Sequence, residues 1–229
     1  MGLNDSNKNS IKILYWGIGG SGKTTIVDTL YKLPREERRD IEPVGNLIKI
    51  AKASEATLYY DRGTFHNSKQ NSVIYHVYTV AGQSSYFPLR QKVFENPPTD
   101  GVILVVDSQI SHFEDNVESL KELKSISNER LIKEIPLIVM LNKQDLPNVI
   151  NEDDFKQVLK NQNLWYDNPK NKLALWNPII YKTCALFEQR RDIYRSFSEC
   201  VRRTSLYKIY GNGKAPIDDK YKSLNNIQY

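Results

Sequence analysis

The 229-residue sequence has little of what builds covalent or metal-held frameworks: two cysteines, Cys184 and Cys200, and three scattered histidines, His66, His76 and His112. No paired spacing among them suits a disulfide network or a zinc site, so the thiols are expected to be reduced and buried. Long apolar runs are missing too. A membrane-crossing helix needs about 18 or more consecutive apolar residues, which the chain never approaches, and the opening MGLNDSNKNS holds no apolar signal core. The expectation is a soluble cytoplasmic protein with at most peripheral membrane contact. Nor is charge of one sign gathered into a block. The net charge is +5, but REERR at 35–39 and the final YKIYGNGKAPIDDKYKSLNNIQY both mix signs. That describes a solvated surface better than a specific nucleic-acid site.

What the chain does have is enough apolar residue, 40%, for one full core. IKILYWG at 11–17 is an apolar run ending in glycine, and SGKTTIVDTLYKL follows with helical spacing through Ile26, Leu30 and Leu33, closed by Pro34. TLYYDRGTF and VIYHVYTV flank the polar HNSKQNS and imply an antiparallel hairpin. From residue 101 apolar runs (GVILVVD, PLIVMLN, NPIIYKT) alternate with helix-like segments, the last near 186–203 with a stripe through Phe187, Ile193, Phe197, Cys200 and Val201. Strands that are apolar on both faces imply a mostly parallel sheet covered by helices on both sides. NQNLWYDNPKNKLALW at 161–176 fits neither period and is assigned as an insertion within a domain spanning 11–205; residues 1–10 and 206–229 are assigned as flexible tails.

Three motifs carry chemistry. GIGGSGKTT matches G-x-x-x-x-G-K-[ST] from Gly17 to Thr24, between a buried strand and a helix. In that context the backbone around Gly20, Ser21, Gly22 and Thr25 can wrap phosphates, Lys23 can neutralise them, and the Thr24 hydroxyl can meet Mg²⁺. LNKQD at 141–145 follows a second strand. There the Asp145 carboxylate can accept from both the ring N1–H and the exocyclic amine of guanine, which adenine does not offer together. Lys143 can lie over the base, and Asn142 can tie this loop to the phosphate loop. TCA at 183–185 ends a third strand, where the Ala185 N–H, beside Cys184, can reach the guanine O6.

In this order and spacing the motifs resemble the Ras superfamily of small GTPases over about residues 11–205. NKQDLPN, TCA and VVDS resemble its Arf branch; ILYWGIGGSGKTT, TLYYD, YTVAGQ and DSQI resemble the prokaryotic MglA-like polarity GTPases. The resemblance implies a P-loop G domain with a six-stranded, mostly parallel sheet and one antiparallel hairpin. It also implies two segments that sense the γ-phosphate. Thr57 would meet Mg²⁺ and the γ-phosphate, Gly82 would offer its N–H, and Gln83 would orient the attacking water, with Lys23 on the phosphates. Loss of one phosphate would release both segments.

Two departures qualify the carry-over. Thr79 stands where such proteins place an aspartate near the metal, and Ala56 stands where MglA-like proteins carry an arginine beside the switch threonine. Without that arginine, hydrolysis is expected to be slow and to need an activating protein, for which the resemblance points to a roadblock-type partner. Arg62 is a possible substitute, though an exposed strand arginine is the simpler assignment. For the metal, three arrangements stay open: water held by Thr79, a carboxylate from Asp61, or one from Asp107. MGLNDS fits a loose acylation pattern through Gly2 and Ser6, but residues 3–10 are too polar for the accompanying amphipathic helix, so the tail is expected to be unmodified. The leading expectation is therefore a GTP/GDP switch with Mg²⁺ that hydrolyses slowly and signals to effectors in polarity or trafficking. The alternatives are a guanine-nucleotide scaffold with negligible turnover and, less compatible with N-K-x-D, a P-loop ATPase or kinase.

Overall fold

The computed structural model describes residues 10–37, 40–50, 60–67, 70–82, 86–186 and 190–218. Among them one mixed sheet of eight strands organises the chain. The first strand, β1 (Ser10–Trp16), leads into α1 (Lys23–Glu37); two short strands, β2 (Ile41–Pro43) and β3 (Ile48–Ile50), precede the hairpin of β4 (Tyr60–Asn67) and β5 (Gln70–Thr79). Then follow α2 (Phe87–Glu95), β6 (Gly101–Asp107), α3 (Phe113–Ile126), β7 (Leu137–Asn142), α4 (Glu152–Asn161), β8 (Ile179–Lys182) and α5 (Arg191–Tyr210). The spatial order is β2-β4-β5-β1-β6-β7-β8, with β3 also on β4. β5, β1, β6, β7 and β8 run parallel, and β4 runs against β5.

The strand sequences are apolar on both faces because both faces are covered. On β6, Val102, Leu104 and Val106 point to a core shared with α2, α3 and α4, whereas Ile103 and Val105 point to one shared with α1 and α5. This is the period-two alternation of a strand buried on both sides. α4 is started by Asn151, whose side chain accepts from the Asp154 N–H, and carries Glu152, Asp153 and Asp154 in its first turn, where the helix dipole favours acids.

The sheet contains the six expected strands and two more. β2 and β3 pair with opposite ends of β4's outer edge, in the registers Pro43↔Phe65 and Ile48↔Arg62. Pro43 and Gly45 interrupt what would otherwise be one edge strand, and the Val44 N–H bridges the gap to the Thr64 carbonyl at 2.7 Å. α1 does not stop at Pro34 but continues to Glu37. A proline in the last turn deletes one backbone donor, which costs the helix one bond without ending it.

The boundary expected at residue 205 falls inside α5, and the described residues beyond it, 206–218, pack on the domain. Tyr207 is buried, its ring set edge-on to Trp176 at 4.9 Å and its hydroxyl donating to the Ile132 carbonyl at 2.7 Å. Ala215 N–H donates to the Lys133 carbonyl and Trp176 Nε1 to the Pro216 carbonyl. Most of the assigned insertion is the loop that feeds this small third core, with a 3₁₀ turn at Lys172–Trp176; Asn161 itself closes α4. Arg203 of α5 holds the loop by donating to the Trp176 and Asn177 carbonyls at 3.3 and 2.8 Å. No helix among the described residues is long and apolar enough to cross a membrane.

Candidate functional site

Five strands run parallel, so the loops that follow them gather at one end of the sheet. The chain's path reverses across β1, which has β5 on one side and β6 on the other; in open α/β sheets the crevice at such a point is where ligands bind. The loop there is Gly17–Gly22. Gly20 and Gly22 adopt φ of +75° and +99°, conformations that side-chain-bearing residues rarely take. At Gly22 space forbids a side chain as well, because a Cβ would overlap Asn142 Nδ2. α1 opens directly after, with no acidic residue in its first turn and with Thr24 and Thr25 exposed, which leaves its positive end available to an anion. Lys23 is buried and curls back into the loop, its Nζ donating to the Gly17 and Ile18 carbonyls at 2.9 and 2.6 Å.

Asn142 welds three loops together. Fully buried at the end of β7, it donates from Nδ2 to the Ser21 carbonyl at 2.8 Å and accepts from Thr183 Oγ1 at 3.3 Å. The Gln144 N–H reaches the Thr183 carbonyl at 3.1 Å, and Thr29 of α1 donates to the Ala185 carbonyl at 2.8 Å. Cys184 and Ala185 are both buried, and Ala185 stands beside Gly22. Thr183 and Thr29 are thus working parts of the site that the motifs did not single out. Thr183 was within reach, being the first letter of TCA, whereas Thr29 sits mid-helix with no sequence signal.

Lys143 adopts φ +66° and sends its Nζ to Asp107 Oδ2 at 2.6 Å. Asp107 is 1% exposed and also accepts from the Gln109 N–H, so this carboxylate is committed to holding Lys143. Asp145 is exposed and makes no hydrogen bond or ion pair among the described residues.

The metal side is only partly described. Thr79 is buried at the end of β5, level with Tyr15 of β1. Asp61 pairs through its backbone with Lys49, one step beyond the Arg62↔Tyr78 pair. Its side chain lies outside the described residues, as do Ala56, Thr57 and Gln83. Arg62 lies over the Tyr78 ring, its Cζ 5.6 Å from the ring centre. Gly82 abuts that loop, since a Cβ there would overlap Gly19 N and the Ile18 carbonyl. No group of three His, Cys, Asp or Glu among the described residues could hold a metal ion. Hydroxyls such as Thr24 suit Mg²⁺ nonetheless, because this hard cation commonly takes few protein ligands and draws much of its negative charge from substrate phosphates.

Comparison with known proteins agrees with this geometry. A model of the ADP-ribosylation factor family matches residues 2–196. The chain is also 32% identical over 166 residues to the "Mutual gliding-motility protein MglA" of Myxococcus xanthus (strain DK1622), an alignment covering 69% of this chain and 80% of that protein.

Proposed function

Because the chain belongs to the ADP-ribosylation factor family of small GTPases, we propose that it is a guanine-nucleotide switch that binds GTP and GDP with Mg²⁺, hydrolyses GTP slowly, and signals through the segments around Thr57 and Gly82. The observation that carries this reading is the Asn142–Ser21 bond, which makes the phosphate-binding and base-binding loops one rigid unit. A nucleotide spanning them meets preorganised partners at both ends, which lowers the ordering cost of binding.

The roles then follow from position. The N–H groups of Gly20 to Thr25 surround the phosphates, with Lys23 leaving its carbonyl partners for the β- and γ-oxygens. Asp145 accepts from the guanine edge, the Lys143 stem covers the base, and the Ala185 N–H, next to Cys184, meets O6. Thr24 and Thr57 would hold the magnesium, which neutralises phosphate charge when bound. Since Asp107 is paired with Lys143, Asp61 and water on Thr79 are the two remaining supports.

Gln83 would orient water, and an arginine supplied by a partner would raise the rate by about 10³–10⁵, replacing what Ala56 lacks. A roadblock-type activator and a polarity or trafficking pathway on the cytoplasmic side complete the proposal. A second reading, a guanine-nucleotide scaffold with negligible turnover, is favoured by one observation: Thr79 stands where the metal-side carboxylate is expected.

Identification of the retained nucleotide, followed by GTP and ATP affinity and hydrolysis assays with and without Mg²⁺, tests both. Equal affinity for ATP overturns the switch. Tight GTP binding without turnover, even with an activating partner, leaves the scaffold.

A further inference from the structure

A guanidinium is an unusual group on the core face of a helix, yet Arg90 of α2 is 2% exposed. Its Cζ stands 4.0 Å from the centre of the Trp16 ring, Nη1 lies 2.9 Å from Glu122 Oε2 on α3, and Nη2 donates to Ser119 Oγ at 3.3 Å. Trp16, the residue before the phosphate loop, donates from Nε1 to the Ser119 carbonyl at 2.9 Å. Arg90 Nη1 also reaches the Gly82 carbonyl at 3.5 Å, the outer limit of a hydrogen bond. One side chain therefore joins the end of β1, the segment after β5, and α3. A cavity of about 500 Å³ lined by Gly19, Gly82, Arg90, Ser119 and Glu122 lies alongside, so the segment has room to move.

Stability does not explain this arrangement. Desolvating a buried ion pair offsets most of its attraction, and apolar replacements are often as stable or more so. Here the cost is visible, because Arg90 Nε and Glu122 Oε1 are buried with no hydrogen-bond partner among the described residues. Burial accordingly lowers the Arg90 pKa and raises that of Glu122, each opposed by the other's charge. What a fork of charged donors supplies, and an apolar side chain does not, is direction. The carbonyl that Arg90 touches is that of Gly82, and at 3.5 Å a small inward shift tightens the contact while an outward shift breaks it.

Resting on the reading of this chain as a guanine-nucleotide switch, we propose that Arg90, held by Glu122 and Trp16, is a positioning residue that fixes Gly82 against the phosphate loop and so sets the preference for triphosphate over diphosphate.

The test compares wild type with the double variant Arg90→Met/Glu122→Met, which replaces both charges with side chains of similar length. GDP and GTP-analogue affinities, single-turnover hydrolysis and thermal unfolding are measured for each. The double variant is expected to unfold at or above the wild-type temperature and to bind GDP within about twofold, while its preference for the GTP analogue falls by about tenfold, within the usual range of site-to-site coupling. Hydrolysis falls with it. Arg90→Lys keeps a charge for Glu122 but loses the fork, and is expected to fold with an intermediate preference. Wild-type preference in either variant overturns the proposal, as does an equal loss of GDP and GTP-analogue affinity, which marks Arg90 as merely structural. A wild-type protein that binds no guanine nucleotide overturns both this proposal and the reading beneath it.

Discussion

Asn142 Nδ2 lies 2.8 Å from the Ser21 carbonyl, joining residues 121 positions apart in the chain. Replacing Asn142 with Ala leaves a buried carbonyl without its donor and also strips Thr183 Oγ1 of an acceptor. Such losses cost about 1–3 kcal/mol, so GDP and GTP affinity should both fall by about tenfold or more. Isothermal titration checks this; unchanged affinity for both would separate the two loops energetically.

Asp145 is exposed and positioned by its loop rather than by a partner of its own. Asp145→Asn replaces an acceptor with an amide, so guanine binding should weaken by at least about a hundredfold, because sites built on hydrogen-bond matching discriminate strongly. A base bearing a carbonyl in place of the exocyclic amine should gain. Competition between GTP and XTP reads out the switch, and retained GTP preference removes Asp145 from base recognition.

Gln83→Leu should reduce single-turnover hydrolysis while leaving GTP-analogue affinity within about twofold, the pattern of an interaction made only in the transition state. Wild-type turnover in that variant removes Gln83 from the mechanism.

Lys12 of β1 is 3% exposed, its ammonium donating to the Val93 and Pro97 carbonyls at the end of α2. Burial lowers its pKa from 10.5 to about 8, against the opposing pull of Asp100. A pKa depressed on folding means that the unfolded chain binds more protons between these values. Lys12's contribution to stability is therefore most favourable above pH 10.5 and is lost as pH falls through about 8. Lys12→Met removes this dependence, so its stability relative to wild type should be greater at pH 7 than at pH 10. Denaturant titration at the two pH values measures the difference, and parallel profiles refute the assignment.

Tyr207 packs on Trp176 and donates to the Ile132 carbonyl. Tyr207→Ala should destabilise the fold by about 3–5 kcal/mol, the range for large aromatic truncations in a core, and leave GDP affinity within about twofold. A wild-type melting temperature would remove Tyr207 from the residues that hold the fold.

The phosphate loop, Asn142, Lys143 and Asp145 were legible because each motif sits in a few consecutive residues at the end of a recognisable strand. Thr29 and Arg90 were not. Thr29 matters only because α1 passes the Ala185 carbonyl, and Arg90 only because α2 lays its core face over Trp16 and α3. The end of α5 was missed for a related reason. Its stripe of Ile193, Phe197, Cys200 and Val201 continues to Tyr207, and GNGKAP, within the stretch assigned as a tail, turns the chain back onto Trp176. The edge strand split by Pro43 and Gly45 was similarly obscured, since three-residue strands carry no measurable period.

By itself the sequence determined the strand-loop-helix order, the two-faced sheet and the motifs that follow its strands, because backbone preference, hydrophobic period and motif chemistry are local properties. Only the tertiary structure decided that Asp107 is committed to Lys143, that Gly82 lies against the phosphate loop under Arg90, and that Tyr207 and Ala215 belong to a third core. Those outcomes depend on which side chains meet across the sheet, and close packing settles that only when all the elements are in place.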